Sequence, residues 1–269
     1  MILKPVKQGS RVHLDGERAT LPARKLPAEK AMKKETEKLL ERFADLQAAL
    51  YAEGKRSLLV VLQARDAGGK DGLVRKVFGS PNPQGLEFTS FRAPTELERR
   101  HDFLWRVHQV APPHGKIGVL NRSHYEDVLV PRVRALIGED VWRRRFAQIN
   151  DFERMLSENG TTVVKFFLHI SRAEQRERLV SRLENPKKNW KFNPDDLEDR
   201  ARWRDFTEAY RDLLSECSTP WAPWFVVPAD DKGVRDYLVA QVMVDTLERM
   251  DPQYPHADEE VLRLMNQIE

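Results

Sequence analysis

The chain has 269 residues, of which 41% are hydrophobic and 32% charged, so it can bury a full core and reads as one α/β domain with appendages. Its formal net charge is only +3, so any basic site must come from local clustering; the single cysteine, Cys217, excludes an internal disulfide framework and sits in no catalytic-thiol motif. No apolar run approaches the ~20 residues of a membrane span, and the opening MILKPVKQGS lacks a signal-peptide core, so a cytoplasmic protein without membrane attachment is expected.

Residues 1–27 are basic, turn-rich and aperiodic, and are expected to be partly disordered or to form a surface arm of the kind that often serves oligomers. From Pro27 to Glu53, apolar positions such as Leu39, Leu40, Phe43, Leu46 and Leu50 recur at helical spacing, and Gly54 is placed to end that helix. SLLVVLQARDAGGKDGLVRK (57–76) then reads as a buried strand (Leu58 to Gln63), a small-residue turn and a helix opening near Lys70. Unpaired N–H groups and the positive end of a helix dipole converge in such a turn and suit phosphate. The P-loop pattern G-x-x-x-x-G-K-[ST] is met only at Gly69 and Lys70, because Ala64 and Asp71 replace the first Gly and the Ser/Thr. A tight turn with solvated Asp66 and Lys70 is the plainer alternative.

LEFTSF (Leu86 to Phe91) alternates as a strand, and Thr95 caps a predicted helix carrying Leu97, Phe103, Leu104 and Val107. KIGVLN (Lys116 to Asn121) is a third strand, the block from Asp140 to Leu156 is helical, and TTVVKFFLHI (Thr161 to Ile170) is a fourth strand. Ser171 and Glu174 suggest a capping box for the next helix. A basic, proline-interrupted stretch follows, then a helix through Leu214, a strand at WFVVPA (Trp224 to Ala229), a helix to Met250 and a short amphipathic tail. Strands alternating with helices predict a mostly parallel five-stranded sheet covered on both faces, with ligands beyond the carboxyl ends of its strands.

Those ends would bring Asp66, Lys70, Asn121, Arg122, Glu126 and Asp127 to one rim. Phosphoryl transfer needs that mixture: cations for the phosphate oxygens and carboxylates for Mg²⁺. Arg172, Arg176, Arg178 and Arg182, followed by Lys187, Lys188 and Lys191, lie on a Pro- and Asn-punctuated segment. They form either a solvated face paired with interleaved glutamates or a lid that closes over phosphates. With Arg75 and Lys76 after the loop, and Arg132 and Arg134 after the Asn121 segment, the cationic charge exceeds what one nucleotide needs and points to a long polyanion. The seven histidines include no H-x-x-x-H pair or Cys/His cluster, so no zinc site is expected. His124 is left between a phosphate contact and a structural hydrogen bond. The six tryptophans are scattered as core or lid packing, which argues against nucleic acid as a partner.

VVLQARDAGGKDG, FRAPTELERRHDFLWRVH, NRSHYEDVLVPRV and FFLHISRAEQRERL…NPKKNWKF together closely resemble the family-2 polyphosphate kinases, in order over roughly residues 30–250. The resemblance implies a P-loop kinase fold like that of thymidylate and adenylate kinases, spanning 28–250 with a helical lid near 178–204, between the arm and a C-terminal accessory tail (251–269). It implies Mg²⁺-dependent phosphoryl transfer between inorganic polyphosphate and nucleotides by a homo-oligomer, dimer or tetramer. In that family the loop normally has the Asp-Ala-Gly-Gly-Lys-Asp form, so Ala67, Gly68, Gly69, Asp71 and Gly72 would bind phosphate beside Lys70. Asp66 would position acceptor phosphate and metal, and Asn121, Arg122, Glu126 and Asp127 would be the Walker B segment, with Asp127 a further Mg²⁺ ligand. Arg178 and Arg182 would hold the transferring phosphates. Asn121 and Glu126 resemble the subgroup that phosphorylates both AMP and ADP; adenine and also guanine nucleotides are candidate substrates. The competing functions are an ATP-dependent nucleoside monophosphate kinase and a polyphosphate- or nucleotide-binding protein without turnover.

Overall fold

Four of the five strands are buried on both faces, the environment of a parallel sheet with helices on either side, while the edge strand over 86–90 keeps one face partly exposed. The computed structural model describes residues 3–258 and residue 261. The strands are β1 (Ser57–Ala64), β2 (Leu86–Ser90), β3 (Ile117–Asn121), β4 (Thr161–His169) and β5 (Trp224–Pro228). All neighbours are parallel, in the order β2-β3-β1-β4-β5. Every residue of central β1 is buried. Leu58, Val60 and Leu62 join one core with Phe43, Leu50, Leu73 and Leu238, whereas Leu59 and Val61 join the other with Tyr125, Phe146, Ile149 and Leu213. Each such side chain contributes roughly 1.5–3 kcal/mol through burial, so strand alternation alone assigns helices to faces.

The first face carries α1 (Glu29–Glu53), α2 (Lys70–Val77) and α10 (Lys232–Met250); the second carries α5 (Glu126–Val133), α6 (Glu139–Glu158) and α9 (Trp203–Glu216). Gly54 ends α1 in the left-handed conformation (φ 64°), as its position predicts. The remaining helices are α3 (Glu96–Arg99), α4 (Trp105–His108), α7 (Arg172–Glu184) and α8 (Asp195–Ala201).

Two local expectations are corrected. The single helix predicted after Thr95 is two short ones, α3 and α4, because Asp102 Oδ1 accepts from the Leu104 and Trp105 N–H groups (2.9 and 3.1 Å) and starts a new turn. The Thr95–Glu98 capping box is complete, but at Ser171 only half the box forms: Ser171 Oγ accepts from Glu174 N (3.1 Å), while the Glu174 carboxylate takes Arg178 (2.6 Å). The Ser171 N–H donates instead to Asp230 Oδ1 (2.8 Å).

The N-terminal arm is pinned across the sheet's β4–β5 side. Val6 N donates to Trp224 O (2.8 Å), Ser218 Oγ donates to Val6 O (2.7 Å), and His169 Nε2 donates to Asp15 O (2.8 Å). The expected tail helix lies outside the described residues. No described helix is long and apolar enough to cross a membrane.

Candidate active site

β1 has β3 on one side and β4 on the other, so the sheet's switch point lies at its carboxyl end, where a crevice must open. The register sets Leu62 beside Asn121 and Ala64 beside Leu168, which brings the loop after β1 next to the end of β3. That loop turns tightly. A Cβ on Gly68 would lie 2.5 Å from Ala64 Cβ and 2.7 Å from Arg65 O, and Gly69 caps α2 at φ 95°, which favours glycine. Gly69, Lys70, Asp71 and Gly72 N–H groups have no acceptor among the described residues and form the anion-binding end of α2.

Lys70 is half-buried at the first position of α2, with Nζ donating to Ala64 O (3.1 Å). Burial, reinforced by Arg122, lowers its pKa. Arg122 has a left-handed backbone (φ 65°), a strained conformation for a non-glycine residue, and donates to Asp66 Oδ1 (3.0 Å). Glu126 opens α5 beside them. The Gln63 amide, oriented to satisfy its neighbours, donates to Glu126 Oε1 (2.9 Å) and accepts from Ser123 N and Oγ. Burial raises the Glu126 pKa against the opposing pull of Arg122 and Lys70. Asn121 Nδ2 donates to Asp71 Oδ1 (3.0 Å), and Lys191 from the segment beyond α7 reaches Asp71 Oδ2 (3.0 Å). Beside this cluster lies a cavity of about 650 Å³ whose lining includes Asp66, Arg122, Glu126, Asp127, Trp203 and Tyr210.

A strand, a phosphate-sized nest of N–H groups, a lysine and an arginine against carboxylates are the parts of a phosphoryl-transfer site. The sequence profile of the family described as Polyphosphate kinase 2 matches residues 27–255. The chain belongs to that family. Among curated relatives, the AMP/ADP-polyphosphate phosphotransferase of Meiothermus ruber is 53% identical over 220 residues, covering 82% of each chain. The ADP-polyphosphate phosphotransferase of Rhodopseudomonas palustris is 43% identical over 245 residues, covering 85% of each. The crystal structure of Polyphosphate Kinase 2 from Arthrobacter aurescens superposes with a TM-score of 0.88 at 38% identity over 99% of both chains. The fold is a P-loop kinase fold with an all-parallel five-stranded sheet.

Within this polyphosphate kinase the structure gathers Asp66, Lys70, Asn121, Arg122, Glu126 and the loop Ala67–Gly72, and gives several other expected residues protein partners. Asp127 lines the cavity with Oδ2 accepting from the buried Arg106 (2.8 Å). Arg178 donates to Glu174, Ala67 O (3.2 Å), Ala229 O (2.6 Å) and Asp230 O (3.0 Å), so it ties α7 to the loop's backbone instead of presenting open donors. Arg182 pairs with Asp196 (3.0 Å), and Arg134 lines the cavity while pairing with Asp199 (2.8 Å). Arg132 pairs with Asp212 (2.8 Å) against the Trp142 ring, and Arg75 is exposed in the last turn of α2. His124 is fully buried with Nε2 3.2 Å from Glu153 Oε1, the structural alternative. Cys217 is buried and its thiol pKa is pushed up, which disfavours a thiolate.

Sequence reasoning missed Arg65, Arg106 and Arg235. Arg65 is buried under the cavity with its guanidinium 3.9 Å from the Trp203 ring centroid, and burial lowers its pKa to about 10. The available signals were an arginine closing an apolar strand, one inside WRVH, and an Arg-Asp pair opening the otherwise apolar α10.

Asp66 Oδ1 engages one cation, and no cluster of three His, Cys, Asp or Glu residues exists among the described residues that could hold a metal alone. An all-oxygen donor set with few carboxylates beside a phosphate nest fits Mg²⁺, which completes its shell with phosphate oxygens and water.

Asp196 on α8 pairs with Arg182 of α7. Burial, and then Asp66, raise its pKa from 3.8 to about 6 despite Arg182. The folded protein therefore keeps a proton that the unfolded chain releases, and stability falls as pH rises from about 4 to about 6. Asp196→Asn should raise stability by about 1–2 kcal/mol at pH 7.5, after allowing for solvent screening, and hardly at all at pH 4. Urea unfolding at both pH values measures this, and an equal effect at both would refute it.

Proposed function

We propose that the chain is a polyphosphate:AMP/ADP phosphotransferase that moves the terminal phosphoryl group of inorganic polyphosphate to AMP and to ADP. Family membership and the convergence of Asp66, Lys70, Arg122 and Glu126 at the ends of β1 and β3 support this reading; the convergence is the observation that carries it. A phosphate oxygen of the acceptor forms the new P–O bond as the terminal anhydride bond of the polyphosphate breaks, so no proton has to be abstracted. The protein's work is positioning and charge neutralisation. Lys70 and the N–H groups from Gly69 to Gly72 hold a phosphate, and Arg122, aimed by Asp66, neutralises charge on the group in flight. The raised proton affinity of Glu126 lessens its repulsion of an incoming phosphate. Asp66 is the residue that would hold Mg²⁺, which when bound neutralises and orients phosphate oxygens.

The acceptor range follows the name of the Meiothermus ruber relative and the Asn121 and Glu126 side chains. Adenine nucleotides are the first candidates, with guanine nucleotides second, since a Corynebacterium glutamicum relative is named as a putative GDP-polyphosphate phosphotransferase. We extend the proposal to a cytoplasmic homo-oligomer; Phe88, half exposed on edge strand β2, supports an association surface.

The test is incubation of the purified protein with AMP, Mg²⁺ and polyphosphate without ATP. ADP and then ATP should accumulate. Absence of both would overturn the reading, and transfer from ATP alone would assign a nucleoside monophosphate kinase.

A further inference from the structure

The phosphate loop is held by its carbonyl groups. Lys70 Nζ donates to Ala64 O (3.1 Å), Gly68 N to Arg65 O (2.9 Å) and Gln175 Nε2 to Asp66 O (3.0 Å). Arg178 Nη1 donates to Ala67 O (3.2 Å) and Arg235 Nη1 to Gly69 O (3.1 Å). Two of these donors lie on α7 and one lies in the first turn of α10, so two separate helices, both distant from the loop in sequence, grip it. Successive carbonyls engaged on protein donors leave the N–H groups of Gly69 to Gly72 as the unpaired set.

The two guanidinium groups are built alike. Arg178 is braced by Glu174 (2.6 Å), and Arg235 is braced by Asp236 through both Nε (2.8 Å) and Nη2 (2.7 Å). Arg235 is 3% exposed, and a Cβ added to Gly69 would collide with its Nη1. Each guanidinium is held in its plane by its own carboxylate. What this gives the loop is geometry: a rigid planar fork fixed at one end by a carboxylate and gripping a loop carbonyl at the other.

We infer, resting on the phosphate-loop reading above, that Arg235 braced by Asp236 is a positioning residue that clamps Gly69 O and thereby sets the anion-binding N–H groups at the start of α2. Gln175 and Arg178 hold the preceding carbonyls from α7, so the loop is fixed between α7 and α10. Loop geometry, rather than direct phosphate contact, is the contribution of these side chains.

The variants Arg235→Met, Arg235→Lys and Asp236→Asn test this, read by calorimetric Kd for inorganic tripolyphosphate, by kcat and KM, and by melting temperature. Arg235→Met should weaken tripolyphosphate binding and lower kcat/KM by about tenfold or more, since misplaced oxyanion donors act on that scale. Its melting temperature should fall as well, by up to about 9 °C, because Asp236 loses a buried counter-charge, and binding and kinetics are read well below that melting point. Arg235→Lys should not rescue, because an ammonium cannot brace on Asp236 with two bonds and still reach Gly69 O; full rescue would assign the effect to charge and overturn the clamp. If Arg235→Met does not fold, Asp236→Asn decides, with about a threefold or greater loss of affinity expected. Kd and kcat/KM within about twofold of the parent overturn the inference. A parent that binds tripolyphosphate without turnover would instead overturn the proposed function, leaving the Kd comparison to judge the clamp.

Discussion

Lys70→Ala should lower kcat/KM for transfer from polyphosphate by about 10³-fold or more while leaving the melting temperature nearly unchanged. The large kinetic effect follows from position. Lys70 is the first residue of α2, next in the chain to the unpaired N–H groups of the loop, and Arg122 and Asp66 are its electrostatic neighbours. Removing one preorganised donor from an oxyanion site costs roughly 10²–10³ in rate, and cations acting on a phosphoryl group in transfer are worth ~10³–10⁵. The small stability effect follows from the pKa. Burial lowers it, so folding disfavours the charged lysine, and what stabilising partners remain, Ala64 O and the nearby carboxylates, do not reverse that sign. Steady-state kinetics with calorimetry on the same preparation measure both halves. Activity within tenfold of the parent would remove Lys70 from the site.

The sheet was legible because its signal is local and dense: five apolar runs bounded by turns, each recovered to within about two residues. The loop was legible as well, since glycine spacing and a following lysine describe backbone geometry as well as chemistry. What escaped were partnerships. An arginine looks the same in sequence whether it faces phosphate or a carboxylate, and here most of the predicted phosphate-binding arginines have protein partners. Arg182 has Asp196, Arg134 has Asp199, Arg132 has Asp212 and Arg178 has Glu174. Only the last pair, at i and i+4, falls within the reach of a helical pattern; the others depend on packing between helices far apart in sequence. The break between α3 and α4 escaped for a related reason, since Asp102 starts a new turn with a side-chain bond that competes with an apolar period spanning it. Asp127 shows the same limit at the site itself. Its place in the Walker B segment is visible, and its pairing with Arg106 is not.

Glu153→Ala should destabilise the fold by about 3–5 kcal/mol, the usual cost of stranding one member of a buried ion pair, which for a chain this long is roughly 5–9 °C in melting temperature. Glu153 on α6 and Lys165 on β4 are both inaccessible to solvent and contact each other. Lys165 Nζ also donates to Tyr125 Oη (2.7 Å) and Cys217 O (2.7 Å), and Tyr125 Oη and His124 Nε2 meet Glu153 Oε1 at 2.9 and 3.2 Å. Without Glu153 the ammonium loses its counter-charge, and two polar groups lose an acceptor. The pH dependence has a definite sign. Desolvation lowers the Lys165 pKa even with Glu153 present, and losing that carboxylate lowers it further. The folded variant then binds fewer protons than the unfolded one, so its stability rises with pH until the unfolded lysine also deprotonates near its usual 10.5. The parent lacks this recovery to the extent that Glu153 keeps Lys165 charged. Replacing both charges, Glu153→Leu with Lys165→Met, should recover most of the loss, because apolar residues of similar volume tolerate that site better than one unpaired ion. Since His124 and Tyr125 lie between Arg122 and Glu126 in the chain, the double variant should regain stability while remaining less active than the parent. Denaturant unfolding at pH 7 and pH 9.5 decides the stability claim: a single-variant loss below 1 kcal/mol, or a double variant no better than the single, would refute it.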